Sequence, residues 1–516
     1  MTTPPPAAPI EGPGDIESLA QGGRTNFFGF LLRLAARLPF LFIAGRWYGA
    51  EALGRFAYAT IVVEFAAQIA TVGLKRGLAQ NLSLTHRPHV HVVWDGMLVG
   101  WLTSILVAGV LIAVPELMFP NSAINGRDGL LPLTIFGWVG SDIALAALAY
   151  RGDIGATVKA RSLIEPWTIS IAAFALAWYS KRDGLILAYV LSTIAALAAS
   201  LWPLFRSYGW PRGWRPEPVR LYRIAVRNLP LAGADAIEWG SRRLDIAMLG
   251  LFFSPAIVGI YYVAQQVASL PQKLKTSFDP ILGPVITQNL AEGNEKAVAR
   301  QVRQVGFWII AAQVGIALAL AIPGRAVMGL VGPGFVGGTG ALAVLLAAEA
   351  IAATAVVSEA ALIYVAPKRN LLISVAMILL QIGLSVLFVL VLRGAMPLLE
   401  QWGWVPPRPD RRDDPVAAAG PALALMLALG LASIAKARLL AKLLGARVSG
   451  WRWPVVGASL IAGTVGWAVT RVPADYEWVE LAVGVPLILG VYGVVVWYRG
   501  FTPEDRTLFR LKGATT

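Results

Sequence analysis

Long, uninterrupted apolar runs govern what this chain can fold into. A helix needs about 20 apolar residues to cross the hydrocarbon core of a bilayer, and on that template about fourteen runs qualify. They lie at 27–46, 54–74, 92–114, 130–150, 162–180, 184–205, 229–252, 256–286, 303–324, 338–365, 371–393, 416–435, 453–471 and 478–498. The 516 residues are 57% hydrophobic and only 14% charged, with mean hydropathy +0.64, which excludes a soluble globular class. In lipid every backbone polar group needs an internal partner, so the expected fold is an all-α polytopic membrane protein. Cysteine is absent, so disulfides and thiolate metal sites play no part.

An even number of spans places both termini on one side. Lys and Arg concentrate in the connections of that side, above all in 205–228, which carries Arg206, Arg212, Arg215, Arg220, Arg223 and Arg227. The positive-inside rule therefore predicts cytoplasmic termini. The net charge of +14 is a topology signal on this reading, and no nucleic-acid partner is expected. The opening residues are polar, acidic and rich in Pro and Gly, and they read as a disordered tail and not as a signal peptide. Five units are expected: a tail at 1–25, an N-terminal bundle of six spans at 26–206, a basic linker at 207–227, a second six-span bundle at 228–444, and an extra pair of spans with a tail at 445–516.

A weak internal repeat supports two bundles. Laying GRFAYA (54–59) on GIYYVA (259–264) also lays Arg37 on Arg242. Both segments run in the same direction, so the implied relation is a pseudo-twofold along the membrane normal. Chance likeness between two Gly/Ala-rich spans is the competing explanation.

Charges inside these spans are the candidate functional groups, because a charge at the bilayer centre costs about 2.5 kcal/mol or more. The stretch 227–293 is densest, with Asp235, Glu238, Arg242, Arg243, Asp245, Lys273, Lys275 and Asp279. In the first span Arg33 and Arg37 lie one helical turn apart on a common face. Arginine suits phosphate because its planar fork stays charged and donates two parallel hydrogen bonds. Arg33, Arg37, Arg242, Arg243, Lys273 and Glu238 are therefore expected at a wet, cationic cavity shared by both bundles. Snorkelling to the interface is the alternative for those near span ends. Glu64, Asp142, Asp235, Asp245, Glu349 and Glu359 are expected to pair with these bases or to couple transport to an ion; Glu165 belongs with them. His86, His89 and His91 share one connection without a further ligand, so no metal is expected. With no phosphate-binding loop, nucleophile elbow or zinc-binding HExxH pair, neither a cofactor nor enzymatic chemistry is expected.

Several patches resemble the polysaccharide flippase branch of the multidrug/oligosaccharidyl-lipid/polysaccharide exporter superfamily, which includes O-antigen flippases. They are RWYGAEALGRFAYA (46–59) with GLKRGLAQ (73–80), SRRLDIAMLGLFFSPAIVGIYYVA (241–264), and MGLVGPGFVGGTGALAVLLAAEAI (328–351). The resemblance spans most of 24–390. It implies two rocking bundles around a central cavity, moving a polyprenyl-pyrophosphate-linked oligosaccharide to the outer leaflet, with a polysaccharide polymerase or glycosyltransferases as further partners besides membrane lipids. Members commonly have one pair of spans fewer, so the last pair departs from the pattern, although flippases of cell-wall precursors in the same superfamily share it. Trp239, Tyr261 and Tyr262 are candidates to stack on sugar faces, with core packing as the alternative. Two other functions stay open: an ion-coupled drug or metabolite antiporter, and a membrane polymerase or glycosyltransferase using Arg408, Asp410, Arg411, Arg412, Asp413 and Asp414 of the 393–415 loop.

Overall fold

The computed structural model describes residues 38–241, 243–272, 286, 289–290, 292–401, 415–471 and 477–506. Among them the regular elements are all helical. The first half runs α1 (Gly49–Ala70), α2 (Leu74–Ser83), α3 (His89–Ala113), α4 (Thr134–Tyr150), α5 (Glu165–Leu176) and α6 (Gly184–Tyr208). The second half opens with α7 (Pro218–Ser241), α8 (Leu244–Phe252), α9 (Pro255–Gln272) and α10 (Glu295–Ala321). It continues through α11 (Gly324–Val331), α12 (Thr339–Ala352), α13 (Val356–Val365), α14 (Pro367–Gln401) and α15 (Gly420–Leu444). The chain closes with α16 (Pro454–Val469) and α17 (Val485–Val495).

Among the described residues, 9 helical stretches are long and apolar enough to cross a membrane. The other expected spans also fall on helix: 162–180 on α5, 229–252 on α7 and α8, the start of 256–286 on α9, and 453–471 on α16. The span 27–46 lies mostly outside the described residues. Outward faces carry side chains that only lipid would cover, such as Leu106, Ile171 and Leu372. This is a multi-pass, all-helical membrane protein in two lobes.

The lobes meet where the sequence repeat places them. A Cβ on Gly54 would run into the Pro255 carbonyl and the Gly259 nitrogen, and one on Gly259 would run into the Ala50 carbonyl and the Gly54 nitrogen. The shift that lays Gly54 on Gly259 also lays Ala50 on Pro255, so the contact is reciprocal, as a twofold relation requires. Backbones approach this closely in lipid only where side chains are absent, since dispersion rather than hydrophobic burial holds membrane helices together. Nearby, Gly250 packs under the Tyr58 ring. Asn121 Nδ2 donates to the carbonyls of Gly250 at 2.8 Å and Phe253 at 3.1 Å. Arg46 Nε donates to the Leu330 carbonyl at 3.2 Å. A buried ion pair, Arg55 with Asp128, braces this end of the first lobe, its guanidinium 4.4 Å over the Phe119 ring.

The last two helices pack on α10 in a core of their own. Fully buried Asp505 fastens them there, accepting from Gln304, from Trp308 Nε1 at 3.1 Å, from Arg452 at 2.5 Å and from the Thr502 amide at 2.8 Å.

Gly54→Val and Gly259→Val should each lower the unfolding midpoint of the detergent-solubilised protein, by the equivalent of about 1–3 kcal/mol or more, because backbone must separate to admit the side chain. Gly109, with open space around its Cβ direction, is the control, and Gly109→Ala should leave the midpoint unchanged or slightly raised.

Candidate functional site

The seventh expected span is two helices. The chain leaves helical geometry after Gly240 and Ser241, a small-residue pair of the kind that commonly breaks helices. Arg243 then sits outside both α7 and α8 with φ −129° and ψ 4°, its amide donating to the Gly240 carbonyl at 3.0 Å. Broken helices at membrane depth are tolerated where they border protein or a wet cavity. From this break the Arg243 guanidinium crosses to the first lobe, 3.8 Å from Glu64, and lies 5.3 Å over the Trp239 ring. The Tyr189 hydroxyl donates to Glu64 at 3.2 Å and accepts from Trp138 Nε1 at 2.7 Å.

Trp138 leads to a second cluster. Arg161 stacks 3.9 Å over its ring and donates to Asp142 at 2.5 Å and to Glu165 at 2.8 Å, while Lys75 lies 3.8 Å from Asp142. Arg161, which the apolar window 162–180 leaves just outside the fifth span, sits within the lobe on a π-helical turn, Val158–Ile164. Pro166 explains that turn in part: it has no N–H to continue the α pattern, and the Glu165 amide reaches back five residues to the Ala160 carbonyl. The wider turn carries Arg161 between two carboxylates, satisfying a charge that would otherwise be prohibitive at this depth.

A strained turn aims one further base. Val72 has φ 50° and Gly73 φ 66°, and a β-branched residue rarely adopts that region. Packing holds it, since Gly73 lies so close to α7 that a Cβ would be 2.6 Å from the Ala232 nitrogen and the Asn228 carbonyl. The turn ends α1 and starts α2, placing Arg76 Nε 2.7 Å from buried Asp235 on α7.

Toward the end of the bundle away from the Gly54 contact lies a cavity of about 430 Å³. Its charged and polar lining includes Arg76, Gln265, Glu349, Glu359, Asn370 and Lys436. Lys436 on α15 is buried and donates to Glu359 at 2.8 Å and Ser374 at 3.2 Å. The apolar window 416–435 stops one residue short of Lys436, yet α15 continues through it to Leu444, and it faces inward.

The predicted residues thus divide. Glu64 and Arg243 meet across the lobes, Asp142 and Asp235 each hold a base that the sequence reading did not single out, and Glu349 and Glu359 share the cavity. Asp245 and Tyr261 are buried and paired with each other, the hydroxyl donating at 2.9 Å, so the Tyr261 ring presents no face to a ligand in this conformation. Tyr262 and Trp239 are half-buried. Arg33, Arg37, Arg242 and Lys273 lie outside the described residues, as do Lys275, Asp279 and the charged part of the 393–415 loop; of Glu238 only the backbone is described, within α7. Of the histidines, His89 packs edge-on to Tyr150 and His91 lies 3.1 Å from the Arg212 carbonyl. Among the described residues no three His, Asp or Glu side chains gather as a metal would need.

A family model described as polysaccharide biosynthesis protein matches residues 45–322, more than half of the chain, taking in α1 through α10. The chain belongs to this polysaccharide biosynthesis family. No curated protein matches its sequence. Among solved structures, the fold is similar to the lipid II flippase MurJ in an inward closed conformation, at 12% identity and a TM-score of 0.68 over 92% of this chain and 98% of that one. It is also similar to an inward-facing multidrug resistance MATE family transporter of the MOP superfamily, at 14% identity and a TM-score of 0.58 over 80% and 99%. A MOP superfamily transporter from Pyrococcus furiosus matches at 13% identity and a TM-score of 0.51 over 84% and 96%. This family member therefore has the fold of the MOP-superfamily transporters.

Removing one member of a buried pair leaves the partner uncompensated, at about 3–5 kcal/mol. Arg161→Met should accordingly depress the thermal midpoint sharply. The combined Asp142→Asn, Arg161→Met, Glu165→Gln variant should recover much of the loss in the same assay.

Proposed function

We propose that this protein is a flippase that carries a polyprenyl-pyrophosphate-linked oligosaccharide from the cytoplasmic to the outer leaflet of a bacterial inner membrane. The observation that carries this reading is Arg243, a guanidinium at a helix break between the lobes, in a family of polysaccharide biosynthesis proteins with a flippase-like fold. A diphosphate crossing a bilayer needs preorganised cations to offset its lost hydration, and arginine supplies two parallel hydrogen bonds per group. Arg33, Arg37, Arg242 and Lys273 belong to the same subsite on this reading. Glu64, Asp142, Asp235, Asp245, Glu349 and Glu359 hold the bases in place or take part in ion coupling, while Tyr262 and Trp239 are available for sugar contacts.

The positive-inside bias orients the protein with its termini in the cytoplasm. The cavity then lies toward the cytoplasmic side and the Gly54 contact seals the outer side, a state that accepts substrate from within. The two lobes correspond to 26–206 and 228–444, joined by the basic linker 207–227, with 1–25 as a tail and 445–516 as the appended pair. Glycosyltransferases that build the substrate and a polymerase that consumes it are the expected partners.

An ion-coupled antiporter is the second reading, favoured by the likeness to a multidrug transporter and by carboxylates on both lobes facing the interior. A membrane polymerase would draw on the 393–415 loop.

Proteoliposomes loaded with a labelled polyprenyl-pyrophosphate oligosaccharide separate these readings. Wild type should expose the label to a membrane-impermeant reagent, and Arg243→Gln should slow that about tenfold or more, the worth of one charged hydrogen bond. Transfer at the wild-type rate by the variant, or gradient-dependent efflux of cationic dyes without lipid transfer, would contradict the flippase reading.

A further inference from the structure

We infer that the cavity at Glu359 and Lys436 holds the neutral saccharide portion of the substrate, while the diphosphate stays with the arginines at the α7–α8 break; this rests on the flippase reading. Charge balance is the first reason. Among the described lining residues, Arg76 and Lys436 are matched by Glu349 and Glu359, and Arg76 is held by Asp235 at 2.7 Å. Among the described lining residues there is thus no surplus of positive charge for a phosphate or an acidic sugar.

Hydrogen bonding is the second reason. The Lys436 ammonium has three protons, and Glu359 and Ser374 take two of them. One helical turn before Ser374, on the same face of α14, the amide oxygen of Asn370 is buried without a partner. A spare donor and an unmet acceptor on one cavity wall match a sugar hydroxyl, which donates and accepts at once. Leu345, Ile363, Leu371, Leu425 and Leu429 add apolar surface that suits the C–H faces of a pyranose. A phosphate, with acceptors only, would satisfy Lys436 and leave Asn370 unmet.

Full-length protein in nanodiscs tests this by quenching of tryptophan fluorescence with two kinds of probe: bare polyprenyl pyrophosphate, and the same carrier bearing each of a panel of short neutral oligosaccharides. Wild type should bind at least one sugar-bearing carrier about tenfold more tightly than the bare one, the worth of a hydrogen bond to a charged group. Asn370→Ala and the near-isosteric Asn370→Leu should each erase that preference while leaving affinity for the bare carrier unchanged. Arg243→Gln should weaken both carriers by the same factor. A wild type that shows no preference for any sugar, variants that keep the preference, or variants that lose both carriers equally would overturn the assignment. Failure of wild type to bind either carrier would overturn the flippase reading, and this inference with it.

Discussion

The backbone contact between Gly54 on α1 and Gly259 on α9 underlies the arrangement of both lobes. Lipid provides no hydrophobic push between helices, so the lobes hold together only as tightly as their surfaces interlock. Two glycines opposite two carbonyls give the closest approach available to helices. The reciprocal form of the contact ties the relation between the lobes to the repeat in the sequence. Because the lobes are clamped at one end, separation of their helices elsewhere is concentrated at the other, where the cavity lies. The polar contacts of Asn121 and Arg46 reinforce the clamp without filling the space between the lobes.

The interior charges follow a second constraint. A buried cation is tolerable only with a carboxylate and further hydrogen bonds around it, and Arg161 and Arg243 meet that condition in one linked group. Arg161 bridges Asp142 and Glu165 on the face of Trp138, and Trp138 passes through Tyr189 to Glu64 and Arg243. The chain of contacts therefore runs from within the first lobe to the helix break of the second. Glu64 is thus held by a hydroxyl of its own lobe and a guanidinium of the other.

Much of this was legible from residue spacing. The apolar runs marked the helices because the bilayer core sets their length, and the Gly54 to Gly259 alignment marked the lobes because close packing demands small residues at related positions. Arg161 and Lys436 each lie one residue beyond an apolar window, and a helix that continues past that window is invisible to hydropathy. The Arg161 and Glu165 spacing, just before Pro166, was the overlooked local signal. For Tyr261 the core-packing alternative holds; its partner Asp245 is a helix away, and such pairing follows from packing, which periodicity does not encode. The break before Arg243 had only Gly240 and Ser241 to announce it.

On the proposed flippase reading the lobes pivot, closing at one end as they open at the other when substrate crosses. With no native cysteine, spin labels can be placed at Leu84 and Lys368 near the cavity end, and at Ala123 and Leu330 near the clamped end, and both distances read by pulsed electron resonance in nanodiscs. Addition of a polyprenyl-pyrophosphate oligosaccharide should populate states in which the first distance shortens and the second lengthens together. Distances that both stay fixed, or that change in the same direction, would contradict it.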